Sequence, residues 1–213
     1  MIVVMASKTS IYLEAICNAF ETNDLFVICD RTSSQVVDFV VANDISHAIY
    51  PYRGQTSSER EKYNTALGIS VMELKPQLVV LAGWLKLLSQ NFLGRLPEKT
   101  VLNVHAAILP TVIDQDEVIL PDGSISPVFR GLKSVEMALK ARVSYIGSTV
   151  HWVTSEVDRG EIIKQIKLKV GDFNTEDNLR SELLKQELRM LIDAIKSTIF
   201  QHEGNLGGNR IKL

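Results

Sequence analysis

After Gln77, the run Leu78-Val79-Val80-Leu81-Ala82 offers no polar side chain to either of its faces. Successive residues of a strand point to opposite sides, so a run apolar at both sets of positions needs cover on both, as a parallel strand has between two layers of helices. Ile2–Ala6 and the run 25–30 have the same character and alternate with helical spacing over 11–20 and 34–43. A third short strand is expected around Ala48-Ile49-Tyr50, then helices over 57–74 and around Phe92-Leu93. Strand, polar turn and helix in this order open an α/β nucleotide-binding fold. Tyr145 to Thr154 and Glu161 to Val170 flank a six-residue turn and predict an antiparallel hairpin. Thr175-Glu176-Asp177 caps a long amphipathic helix with Leu179, Leu183, Leu191 and Ile195 on its apolar stripe.

These elements predict a single α/β domain over 1–203, a mainly parallel twisted sheet with helices on both faces and a hairpin near its C-terminal part. Between Pro110 and Gly131 the pattern lapses, and Val118 to Ser126 reads as a small hairpin about an Asp-Gly turn. We expect a surface insertion or lid at about 111–130. Gly204 to Asn209 reads as the start of a flexible tail over 204–213.

At 213 residues and a formal charge of −2, the chain has no global charge to attract nucleic acid or an anionic membrane. It lacks a signal-peptide pattern and any apolar run of membrane-spanning length. Cys17 and Cys29, the two cysteines, lie in apolar segments. They are expected to be reduced thiols of a cytoplasmic protein rather than a disulfide or zinc ligands.

Polar residues interrupt one apolar strand in a patterned way, at Asn103 and His105 within Val101-Leu102-Asn103-Val104-His105. Two apart, they share one face. An amide that donates to a developing oxyanion beside an imidazole that moves protons is what acyl or formyl transfer to an amine requires. The same pair also serves as ordinary satisfied polar groups.

Asn103-Val104-His105, Ile108-Leu109-Pro110, Gly131-Leu132, the run 147–154 and Glu156-Val157-Asp158-Arg159-Gly160, in this order, resemble the glycinamide ribonucleotide transformylases. Val79 to Trp84 resembles that family's strand before its folate pocket, so the likeness spans nearly the whole chain. The resemblance implies the formyltransferase fold and metal-free transfer of a formyl group from 10-formyltetrahydrofolate to the amine of a small molecule, by a monomer or homodimer. By that analogy Asn103 binds the formyl oxygen, His105 stabilises charge and shuttles a proton, and Asp158 orients His105 and a relaying water. Asp158 is further expected to keep His105 protonated at neutral pH.

The folate pocket implied by the resemblance comprises Trp84, Leu85, Lys86, Leu88 and Leu93 with the turn Thr154, Ser155, Glu156 and Val157. His151 is read as structural. The implied ribonucleotide side comprises Lys8, Thr9, Ser10, Arg60, Gly131 and Glu187. Here the chain departs from the family, whose phosphate turn reads Gly-Ser-Asn where this sequence has Ser10, Ile11 and Tyr12. The departure removes glycine's backbone access and a hydroxyl. The open alternatives are transfer to another amine, such as an amino sugar nucleotide, and a non-catalytic folate-binding module. A formate-releasing hydrolase is expected to carry a further N-terminal domain, whereas this sequence starts at its first strand.

Overall fold

The computed structural model describes residues 1–54 and 56–207, with 202–207 described by backbone alone. In chain order the elements are β1 Ile2–Ala6, α1 Ile11–Cys17, β2 Leu25–Cys29, α2 Gln35–Ala42, β3 His47–Ile49 and α3 Ser57–Glu73. There follow β4 Leu78–Leu81, α4 Gln90–Leu93, β5 Val101–His105, β6 Glu117–Ile119, β7 Ile125–Pro127, α5 Ser134–Lys140, β8 Tyr145–Trp152, β9 Ile162–Lys169 and α6 Glu176–Gly207. A seven-stranded sheet runs β3-β2-β1-β4-β5-β8-β9, and β6 and β7 form a separate hairpin. The first five of the seven are mutually parallel, while β8 is antiparallel to both β5 and β9.

The two-sided burial read from the sequence is visible within β1. Ile2, Val4 and Ala6 enter a core with Leu13, Ile16, Val36, Leu191 and Ile195, from α1, α2 and α6. Val3 and Met5 enter the opposite core with Leu67, Val71 and Phe92, from α3 and α4. Each face of the strand is thus covered by helices, which is why its apolar residues do not alternate with polar ones.

Local signals set the helix starts. Ser34 accepts from the Val37 amide, and Thr56 forms a capping box with Glu59, one residue ahead of the expected Ser57. Helix α1 is shorter than expected: it stops at Cys17, and 18–20 continue as a turn with Ala19 and Phe20 amides both on the Ile16 carbonyl. Helix α6 is longer than expected and passes Gly204 to end at Gly207. Extending an already formed helix adds a hydrogen bond per residue, which offsets a glycine cost of about 1 kcal/mol. The rest of the expected tail, 208–213, lies outside the described residues.

Segment 111–130 is docked rather than free. Val118 and Leu120 are buried with Ile108 in a small core of their own, and the segment's end reaches the face that carries His105. Among the described residues no helix is long and apolar enough to cross a membrane.

Strand order reverses between β1 and β4, whose carboxyl ends lead into Ser7 and Gly83. In open α/β sheets this crevice is where ligands bind. Gly83, with φ of +75°, turns the chain there. The Leu85 amide donates to Ser7 Oγ at 2.9 Å, and Asn64 of α3 accepts from the Ser89 amide at 3.0 Å. Loop 83–89 is therefore fastened at both ends.

Candidate active site

A cleft of about 280 Å³ opens at this edge. Its lining includes Trp84, Leu85, Lys86 and Leu88 on one side and Thr154, Ser155, Glu156 and Val157 on the other, with Asn103, His105, Gly131, His151 and Asp158 at its inner end. The structure thus brings together eight of the nine residues expected to hold folate. Leu93 is the exception and corrects that expectation: on α4 it packs against the core beneath α3 and does not line the cleft. Trp84 is nearly buried, and its indole Nε1 has no acceptor among the described residues.

Antiparallel pairing sets Asn103 opposite His151, and His105 opposite Thr149. The Asn103 amide nitrogen lies 3.4 Å from His151 Nε2, while His151 Nδ1 is 2.9 Å from the Trp152 carbonyl and carries the proton donated to it. His151, expected to be structural, therefore lines the cleft beside Asn103 and Asp158. Its sequence signal was only its alternation with Thr149 and Ser148. The register that aligns it with Asn103 is a tertiary fact.

Asp158 comes from the turn after β8 and has φ of +52°, a conformation unusual for a non-glycine residue. Its Oδ2 accepts from the Gly131 amide at 2.9 Å and lies 3.5 Å from His105 Nε2, and its Oδ1 lies 3.5 Å from His151 Nε2. Burial opposes its charge, but the His151 ring, His105 and the Gly131 amide together hold its carboxyl below the usual range. It is ionised at neutral pH.

His105 is buried, and its Nε2 lies 2.8 Å from the Phe129 carbonyl, to which it donates. Burial lowers its pKa, and the opposing influence of Asp158 and the Phe129 carbonyl does not restore it; His151 and Arg130 add to the lowering. The expected protonated imidazole is therefore corrected: desolvation outweighs the neighbouring carboxylate, and the neutral ring donates through Nε2–H. If this ring works in its neutral form, turnover measured against pH should fall on an acid limb whose midpoint lies below the ordinary 6.5. Since the unfolded chain takes up this proton at higher pH than the folded one, buried His105 also lowers stability as pH falls from 6.5 through its folded value. Both limbs can be read by turnover and by denaturation between about pH 5 and 8, the range in which histidine titrates.

Of the residues expected on the ribonucleotide side, Gly131 lines the first cleft and Arg60 a second. Lys8 is exposed, Thr9 Oγ1 accepts from the Ile11 amide at 3.5 Å, and the buried Ser10 donates its hydroxyl to Glu14. Arg60 lines a smaller cleft of about 210 Å³ with Tyr52, Tyr63 and Lys86, adjoining the first cleft through Leu85–Leu87. Gly131 acts through its amide on Asp158. Glu187 is buried in α6, receives the Tyr12 hydroxyl and neighbours Ser148, whose own hydroxyl donates to the His105 carbonyl. Burial raises the Glu187 carboxyl despite these two hydroxyls.

The profile of the formyl transferase family matches residues 1–113 and 115–195. The chain belongs to the formyl transferase family. This formyl transferase is 33% identical over 168 residues to formyltetrahydrofolate deformylase 2, mitochondrial, of Arabidopsis thaliana, covering 78% of the chain and 43% of that relative's length. It is 28% identical over 198 residues to phosphoribosylglycinamide formyltransferase of Mycobacterium tuberculosis, covering 91% of the chain and 82% of the relative. The crystal structure of phosphoribosylglycinamide formyltransferase from Streptococcus pneumoniae superposes with a TM-score of 0.75 at 26% identity, covering 92% and 97% of the two chains. Among the described residues no group of three or more His, Cys, Asp or Glu side chains is arranged to hold a metal ion.

Proposed function

We propose that this formyl transferase moves the formyl group of 10-formyltetrahydrofolate onto the primary amine of glycinamide ribonucleotide, a step of purine biosynthesis in the cytoplasm, acting as a monomer or homodimer. The observation that carries the reading is the meeting of Asn103, His105 and Asp158 at the inner end of one cleft. The cleft suits the ring end of a folate: Trp84, Leu85, Leu88 and Val157 give apolar walls, and the 154–157 segment gives a polar edge. The relatives from M. tuberculosis and S. pneumoniae bear the name of that reaction.

The folate supplies the activated formyl carbon. Asn103 donates to the formyl oxygen as it gains negative charge, a form of stabilisation worth about two to three orders of magnitude where such donors have been removed from enzymes. Attack by the amine makes the new carbon–nitrogen bond, and the bond from carbon to the folate nitrogen breaks. The proton lost by the amine passes to that nitrogen through a water held by ionised Asp158, beside which the hydrogen bond to the Phe129 carbonyl fixes the His105 ring.

A second reading, transfer to a different amine, is favoured by the turn after β1. The Ser10 hydroxyl is taken by Glu14, and Tyr12 lies over Gly83 with its hydroxyl on Glu187, so an aromatic ring and hydroxyls already engaged by carboxylates stand where a phosphate would need donors. Incubation with 10-formyltetrahydrofolate and each candidate acceptor, following tetrahydrofolate release, tests both. Release that depends on glycinamide ribonucleotide supports the first reading, and release only with an amino sugar nucleotide supports the second. Formate without an acceptor points to a hydrolase, and binding without turnover to a folate-binding module.

A further inference from the structure

Segment 111–130 brings one carboxylate to the place where two catalytic segments meet. Asp116 Oδ1 accepts from Arg130 Nη1 at 2.7 Å and from Arg159 Nη2 at 2.6 Å. Both guanidinium side chains are largely covered, at 16% and 22% exposure, whereas Asp116 is 71% exposed. Arg130 stands between Phe129, whose carbonyl accepts from His105 Nε2–H, and Gly131, whose amide donates to Asp158. Arg159 directly follows Asp158 in its left-handed turn.

We propose that Asp116 is a positioning residue for formyl transfer: by holding Arg130 and Arg159 together it seats the Phe129 carbonyl on His105 and the Gly131 amide on Asp158. This rests on the reading that His105 and Asp158 serve that reaction. Without the carboxylate, two adjacent guanidinium groups face each other with, among the described residues, the Glu156 side chain and the carbonyls of Gln115 and Ile113 as partners. Their repulsion acts on the residues whose backbone fixes the active site. An exposed ion pair contributes little to stability, so the effect falls on geometry. The Phe129 contact sets the neutral His105 ring as its Nε2–H tautomer and leaves Nδ1 as the atom able to take a further proton. The groups facing that ring are Asp158, His151, Arg130 and the Phe129 carbonyl.

Asp116→Ala is expected to lower kcat about tenfold with KM for the folate changed by no more than about twofold, the pattern of lost positioning rather than lost binding. In ¹⁵N-histidine-labelled protein, assigned with His105→Gln, the ring nitrogens of His105 should shift from a fixed Nε2–H tautomer toward an averaged one. Asp116→Asn, which keeps an acceptor oxygen, should restore most of both. Lys140→Ala, which breaks an exposed ion pair with Glu136 elsewhere, should leave both unchanged. Wild-type kcat and an unaltered His105 spectrum in Asp116→Ala would overturn the proposal. If the wild-type protein formylates no amine, the functional reading fails by itself, and the His105 spectrum still decides whether Asp116 positions the ring.

Discussion

Asp158→Asn should lower turnover by about a hundredfold or more while the protein remains folded, the magnitude expected when a positioned acid–base group is lost. The two side chains have nearly the same shape, so the loss is one of charge and of acceptor capacity. In the native site one oxygen accepts from the Gly131 amide and the other faces His151 Nε2. An amide replaces one of those oxygens with a donor. Turned toward Gly131, that donor meets another N–H; turned the other way, it leaves the carbonyl on Gly131 but removes the charge between two imidazoles. Asp158 also opposes the lowering of the His105 pKa by burial. Its removal should therefore move the acid limb of the activity profile to still lower pH, a direction that a merely structural defect would not produce. Steady-state turnover across pH, with circular dichroism to confirm folding, reads both effects.

Gly160→Ala should damage stability and activity together. A Cβ built on Gly160 falls 1.6 Å from the Trp152 carbonyl oxygen and 3.4 Å from His151 Nδ1. The first contact is with backbone, so it cannot be relieved by turning a side chain. The same Trp152 carbonyl accepts from His151 Nδ1–H, and the Trp152 amide donates to the Glu161 carbonyl at 2.9 Å. Separating the two chains there shifts both the turn that carries Asp158 and the ring that faces Asn103. Overpacking of this kind costs about 1–3 kcal/mol, and more when backbone must move. Denaturant unfolding should show the lost stability, and turnover per folded molecule should fall as well. Wild-type stability in this variant would mean that the close approach of 152 and 160 is not required.

Much of the fold was legible because its signals are local. The doubly apolar strands β1, β2 and β4 announce cover on both faces, and cap residues such as Ser34 mark helix starts within a residue or so. Asn103 and His105 could be paired because a strand's alternation is fixed by covalent geometry. Asp158 and the folate-side residues came from a resemblance in motif order rather than from periodicity. The placement of His151 beside Asn103 was not legible, because it depends on the register of β8 against β5, and no short-range pattern encodes that register. The protonation of His105 was misjudged for a related reason: a neighbouring carboxylate can be inferred from the sequence, whereas the burial that outweighs it is a property of the folded chain. Leu93 has the composition of a pocket wall, but α4 turns it toward the core under α3.

The central claim is that formyl transfer takes place at Asn103, His105 and Asp158. Its most direct test is the single-turnover release of tetrahydrofolate from 10-formyltetrahydrofolate with glycinamide ribonucleotide, compared between the wild-type protein and Asn103→Ala. The account expects acceptor-dependent release by the wild type and a rate about a hundredfold or more lower in the variant, with folate binding retained. Release by Asn103→Ala at the wild-type rate would contradict it.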